Sequence, residues 1–135
     1  MAGYSATPLV KKLGIKTNFT MLIHGQAVNY FAMLAPTPKG IEVLRSPAKK
    51  EVDFIHLFVK NKREFEKGFI KLKKCLRKEG MFWVSWPKKA SRVPTDLDEN
   101  IIREFGLING LVDVKVCAVD EVWSGLKFVY RVKDR

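Results

Sequence analysis

Histidine and cysteine are scarce in this chain: His24, His56, Cys75 and Cys117 are the only ones in 135 residues. None of the four is close enough to another to form the short-spaced pairs of a zinc site or a CxxC redox motif. Two histidines on separate strands, without a third ligand, nominate no metal. Ser85 and Ser91 lack the Gly-x-Ser-x-Gly context that makes a serine a nucleophile, so no catalytic residue and no cofactor is nominated either. No apolar run reaches the roughly 18 residues of a membrane span. Residues 1–8 also lack the basic region and apolar core of a secretory signal. The expectation is a cytoplasmic protein with both cysteines reduced in the core and no membrane contact. Acids are the other shortage: 14 Asp and Glu stand against 25 Lys and Arg, a formal charge of +11. Such a balance favours small anions, acidic proteins or, non-specifically and in a salt-sensitive way, nucleic acid.

Apolar residues make up 47% of the chain, enough for a core, and the length suits one domain over 1–135. Thr7-Pro8 starts a short helix that Gly14 stops. Residues 19–24 read as a first strand, broken by Gly25, and 26–34 as a helix with Val28, Phe31 and Leu34 on one face. A short strand at 41–45 follows Gly40. Residues 52–59 (VDFIHLFV) have the composition of a strand covered on both faces. In 62–78, Phe65, Phe69, Leu72 and Leu76 form an apolar stripe, and Lys67, Lys71, Lys74 and Lys78 repeat its spacing on the opposite side. The segment 60–78 holds nine basic residues against Glu64 and Glu66, +7 of the +11. Gly80 is expected to end that helix and 81–86 to be the central strand, stopped by Pro87. Thr95 is the expected cap of a further helix, with Asp98 completing a weak capping box and Leu97, Ile101, Phe105 and Ile108 facing the core. Residues 112–118 and 126–132 alternate as two final strands around the loop 120–125.

Strands alternating with helices, then two strands in succession, predict a three-layer Rossmann-like α/β fold. Its mainly parallel six-stranded sheet would have the order 2-1-3-4-6-5 and an antiparallel C-terminal edge hairpin. Ligands in such sheets sit in the crevice beside the topological switch point. Its rim would be His24, Gly25 and Gln26 after the first strand, Lys60 and Asn61 after the third, and Trp86, Pro87, Lys88 and Lys89 after the fourth.

The order of elements, with Lys78-Glu79-Gly80 before the central strand and Gly110-Leu111-Val112-Asp113-Val114 entering the last hairpin, resembles a shortened class I methyltransferase. The motifs WVSWPKKAS at 83–91 and DEVWSGLK at 120–127, with Gly3-Tyr4-Ser5, resemble a family of small bacterial proteins catalogued as a domain of unknown function. That family implies no activity. The methyltransferase resemblance implies a glycine-rich turn after strand 1 and an acid at the end of strand 2. Here the turn has one glycine, Gly25, and strand 2 ends in Leu44-Arg45-Ser46.

Trp86 with Lys88 and Lys89 could clamp an anion between an indole and two ammonium groups. Asp120 and Trp123 in the hairpin loop are further ligand candidates, while His56, inside a strand, reads as structural. The row Lys67, Lys71, Lys74 and Lys78 is a candidate anion-binding surface, although it lacks aromatics for base stacking. Three readings stay open at this level. The leading one is a non-catalytic module that binds a small anion or a protein partner at the Trp86–Lys89 rim, as monomer or homodimer. The others are a reduced S-adenosylmethionine-dependent methyltransferase-like enzyme and a basic nucleic-acid-binding accessory protein.

Overall fold

The computed structural model describes residues 7–25, 29–47 and 49–135. Strand β1 (Thr20–His24) turns Leu22 to one face of a sheet and Met21 and Ile23 to the other, and all three are buried. The same two-sided burial recurs in β3 (Val52–Phe58) and β4 (Leu76–Pro87), so both faces of the sheet's centre are covered. With β2 (Glu42–Leu44), β5 (Leu111–Ala118) and β6 (Trp123–Tyr130) these strands form one six-stranded sheet, ordered β2-β1-β3-β4-β6-β5. Pairs β1–β2, β1–β3 and β3–β4 are parallel, and β4–β6 and β5–β6 antiparallel. This is the Rossmann-like order that the alternation of elements predicts.

Two apolar clusters lie on the two faces. One joins α3 (Lys62–Lys73) and α4 (Glu99–Ile108) to Leu22, Ile55, Leu57, Phe82 and Val84. The other joins α1 (Leu9–Leu13) and α2 (Tyr30–Leu34) to Met21, Ile23, Phe54, Phe58 and Trp83. Trp83 Nε1 donates to the Leu13 carbonyl at 2.9 Å, tying α1 to the central strand. Part of the predicted helix 26–34, with Gln26 and Val28, lies outside the described residues.

Five expectations need correction. The helix predicted over 62–78 ends at Lys73, and Leu76 is already in β4, opposite Val52. Backbone pairing wins over side-chain periodicity there: the Cys75 carbonyl accepts from Val52 N at 2.8 Å, and Arg77 pairs with Asp53 at 3.0 Å. Gly80 therefore does not stop a helix. It sits in the irregular stretch of β4, where an added Cβ would stand 2.9 Å from the Asp53 carbonyl.

The cap of α4 is Asp98, whose Oδ1 accepts from Ile101 N at 2.8 Å. Thr95 instead donates to the Lys60 carbonyl and pins the preceding loop to β3's exit. Of the core face expected for this helix, Leu97 is buried and Ile101 and Phe105 pack against the α3–α4 cluster, with Ile102 and Gly106 buried beside them, whereas Ile108 is 83% exposed. Gly106 lets α4 lie close to β6, because a Cβ there would stand 2.1 Å from the Phe128 ring. Finally, β6 starts at Trp123 and ends at Tyr130 rather than running over 126–132.

Candidate functional site

The carboxyl ends of the parallel strands are built from short turns. β1 ends at the exposed His24 and passes into Gly25, whose φ is +71°. A Cβ on Gly25 would stand 2.4 Å from the Phe58 carbonyl oxygen, so glycine lets this turn press against the end of β3. β2 runs out into Arg45, Ser46 and Pro47, and β3 into Val59. Asn61 then caps α3: its Oδ1 accepts from Glu64 N at 2.9 Å and its Nδ2 donates to Glu64 Oε1 at 2.6 Å. One side of α3 carries Glu64, Lys67, Gly68 and Lys71, spaced three, one and three, toward the turn after β2.

These pieces enclose a hollow of about 290 Å³. Val59 and Leu72 supply an apolar floor beside the end of β3 at Phe58, His24 and Gly25 form one wall, and Arg45, Ser46 and Pro47 another. Arg45, Lys67 and Lys71 face it against one acid, Glu64. Among the described residues, the ion pairs within 4.0 Å involve Lys50, Arg77 and Arg103 and none of those three cations.

Of the described residues singled out from the sequence, His24, Gly25, Lys67 and Lys71 border this hollow and the others do not. Asn61 is engaged in the helix cap. Trp86 is only 6% exposed and packs in the α3–α4 cluster with Leu97. That corrects its expected place as a clamp at the rim: the strand runs one residue further, so the indole fills the core. Lys88 is half-buried, its N–H bonded to the Val122 carbonyl, and Lys89 is exposed on a 3-10 turn; neither lines a described hollow. Asp120 Oδ1 accepts from Val122 N and Trp123 N, each at 2.8 Å, which closes the β5–β6 turn. Trp123 is buried edge-on against Phe58, with ring centres 5.1 Å apart.

The lysine row is broken. Lys67 and Lys71 belong to the hollow at the carboxyl ends of the strands. Lys74 and Lys78, no longer on a common helix face, line a second hollow of about 430 Å³ at the opposite end of α3, with Lys73, Ile70 and Glu51. There Lys78 and Lys73 lie 4.2 and 5.6 Å from the Tyr130 ring centre. Burial first, and then the neighbouring Lys78 charge, lower the Lys73 pKa from its ordinary value.

A buried polar chain crosses the other face. His56 Nδ1 is 2.8 Å from Tyr30 Oη and His56 Nε2 is 2.7 Å from Ser85 Oγ. Full burial keeps the imidazole neutral, so one ring nitrogen donates and the other accepts. Burial pushes the His56 pKa down to about 3 and raises that of Tyr30. His56 also stacks on Phe58 at 4.3 Å. It is structural, as its mid-strand position suggested, but its partners on α2 and β4 are far from it in sequence. Sequence reasoning likewise missed Arg45 as a wall of the hollow. The one available signal was its place at a strand end where an acid was expected. Among the described residues no three His, Cys, Asp or Glu side chains converge as a metal site would, and no helix is long and apolar enough to cross a membrane.

The sequence matches no protein-family model and no curated protein. The fold, however, has solved counterparts. An S-adenosylmethionine-dependent methyltransferase from Aquifex aeolicus superposes with a TM-score of 0.62 at 17% identity, over 89% of this chain and 86% of that one. Aeropyrum pernix fibrillarin, solved with natively bound S-adenosyl-L-methionine, gives 0.59 at 14% identity, over 94% and 70%. A putative methyltransferase from Thermoplasma acidophilum gives 0.58 at 7%, over 95% and 76%. At these identities the likeness establishes a methyltransferase-like fold. S-adenosylmethionine itself carries a sulfonium, an ammonium and one carboxylate. Three cations with a single acid, and Arg45 where a ribose-binding acid is wanted, do not fit it.

Proposed function

We propose that this chain is a methyltransferase-like protein that retains the fold's ligand seat and binds a small molecule in the hollow at the carboxyl ends of β1, β2 and β3. Position carries this reading. The hollow adjoins the switch point between β1 and β3, where one crossover goes to the α2 face and the next to the α3 face, the place where open α/β sheets take ligands. Kinship in fold with S-adenosylmethionine-dependent enzymes supports a reduced methyltransferase-like protein over a free-standing module working through the Trp86–Lys89 rim. The burial of Trp86 supports it too. A nucleic-acid accessory role draws less support, because the lysines form two separate hollows instead of one continuous track. No methyl-transfer step follows from the residues present, and the protein's own contribution at the seat is binding. A mixed small-molecule screen read by backbone amide NMR tests this. Hits should shift the amides of Gly25, Ser46, Val59 and Gly68. Hits confined to Trp86, Lys88 and Lys89 would refute it.

A further inference from the structure

We infer that the seat has inverted charge preference and takes a small ligand through a phosphate or carboxylate group. This rests on the proposed seat and names its ligand class. The cations come from two elements that the fold brings together: Arg45 leaves β2, while Lys67 and Lys71 stand one turn apart on α3. Glu64 is the one acid in the lining, so three cations face a single carboxylate. Arg45, Lys67 and Lys71 border the hollow as exposed residues in no ion pair with a described acid, so the lining presents a net positive field to an incoming ligand. A guanidinium opposite two ammonium groups suits an oxyanion: the planar fork binds two oxygens and the lysines act as point charges. The floor of Val59 and Leu72 leaves room for an uncharged, partly apolar body on the same ligand. The volume suits a small organic phosphate or acid.

Pyrophosphate, adenosine 5′-monophosphate, adenosine and S-adenosylmethionine form a series of falling negative charge, three of them sharing one nucleoside. Titrated into the labelled full chain, pyrophosphate and the monophosphate should shift Gly25, Ser46 and Gly68 amides. The monophosphate should bind more tightly than adenosine, and S-adenosylmethionine most weakly of the nucleosides. Loss of charge-assisted hydrogen bonds in the exposed double variant K67E/K71E should weaken the monophosphate about tenfold or more. Adenosine, which brings no anion to the lysines, should lose far less affinity than the monophosphate. If adenosine or S-adenosylmethionine moves these amides at least as tightly as the anions, the charge inference fails and the seat stands. If none of the four moves them, the seat itself fails, and the inference with it.

Discussion

Replacing His56 with Gln isolates the energetic consequence of burying an imidazole between Tyr30 and Ser85. In the unfolded chain His56 titrates near its ordinary 6.5, while in the fold its pKa lies at about 3. As pH falls below 6.5 the unfolded state takes up a proton that the folded state refuses. The contribution of neutral His56 is therefore complete above 6.5, is lost progressively as pH drops, and is exhausted near 3. Each pH unit in that window corresponds to about 1.4 kcal/mol. At about pH 4.5, two units into it, the loss is about 2.7 kcal/mol, a large part of a typical domain's stability of roughly 5–15 kcal/mol. Carboxylates titrate in the same range, so the wild type alone cannot isolate the effect. The Gln variant removes it: its amide keeps one donor and one acceptor, its lost stacking on Phe58 is the same at every pH, and the carboxylates cancel in the difference. Urea unfolding followed by tryptophan fluorescence at about pH 7.5, 6.5, 5.5 and 4.5 gives that difference directly. The stability advantage of wild type over H56Q should shrink by about 2–3 kcal/mol between the ends of the series. Parallel curves for the two proteins would refute the buried-neutral assignment.

Two further perturbations test the corrected packing. Trp86→Ala should destabilise the protein by about 3–5 kcal/mol without any ligand present, as expected for a buried indole. A loss below about 1 kcal/mol in chemical denaturation would put Trp86 back at an exposed rim. Gly106→Ala should lower the melting temperature even though alanine is the better helix former by about 1 kcal/mol, because its Cβ would stand 2.1 Å from the buried Phe128 ring and overpacking costs about 1–3 kcal/mol. A raised melting temperature would mean that α4 does not approach β6 this closely.

Some of this was legible in the chain because it is written in local patterns. Apolar runs with the right length and punctuation marked the strands, Gly14 and Gly25 marked turns that need positive φ, and the final pair of alternating segments implied an antiparallel edge. Strand order followed, since connections between alternating elements have few allowed geometries. The end of α3 was not legible. A stripe at helical spacing continues through Leu76, and only pairing with Val52 converts that stretch to strand.

The candidate site was half visible for the same reason. His24 and Gly25 could be placed from the switch-point rule, which needs only topology. Trp86, Asn61, Asp120 and Trp123 could not be told from packing, cap and turn residues, because that choice depends on which atoms lie opposite them. By itself, then, the sequence determined the wound sheet and the excess of positive charge. Tertiary structure decided where that charge concentrates, by carrying Arg45 from one strand end to face Lys67 and Lys71 on a helix that follows a different strand. Side-chain period is a property of neighbours along the chain, whereas a charged hollow is a property of neighbours in space.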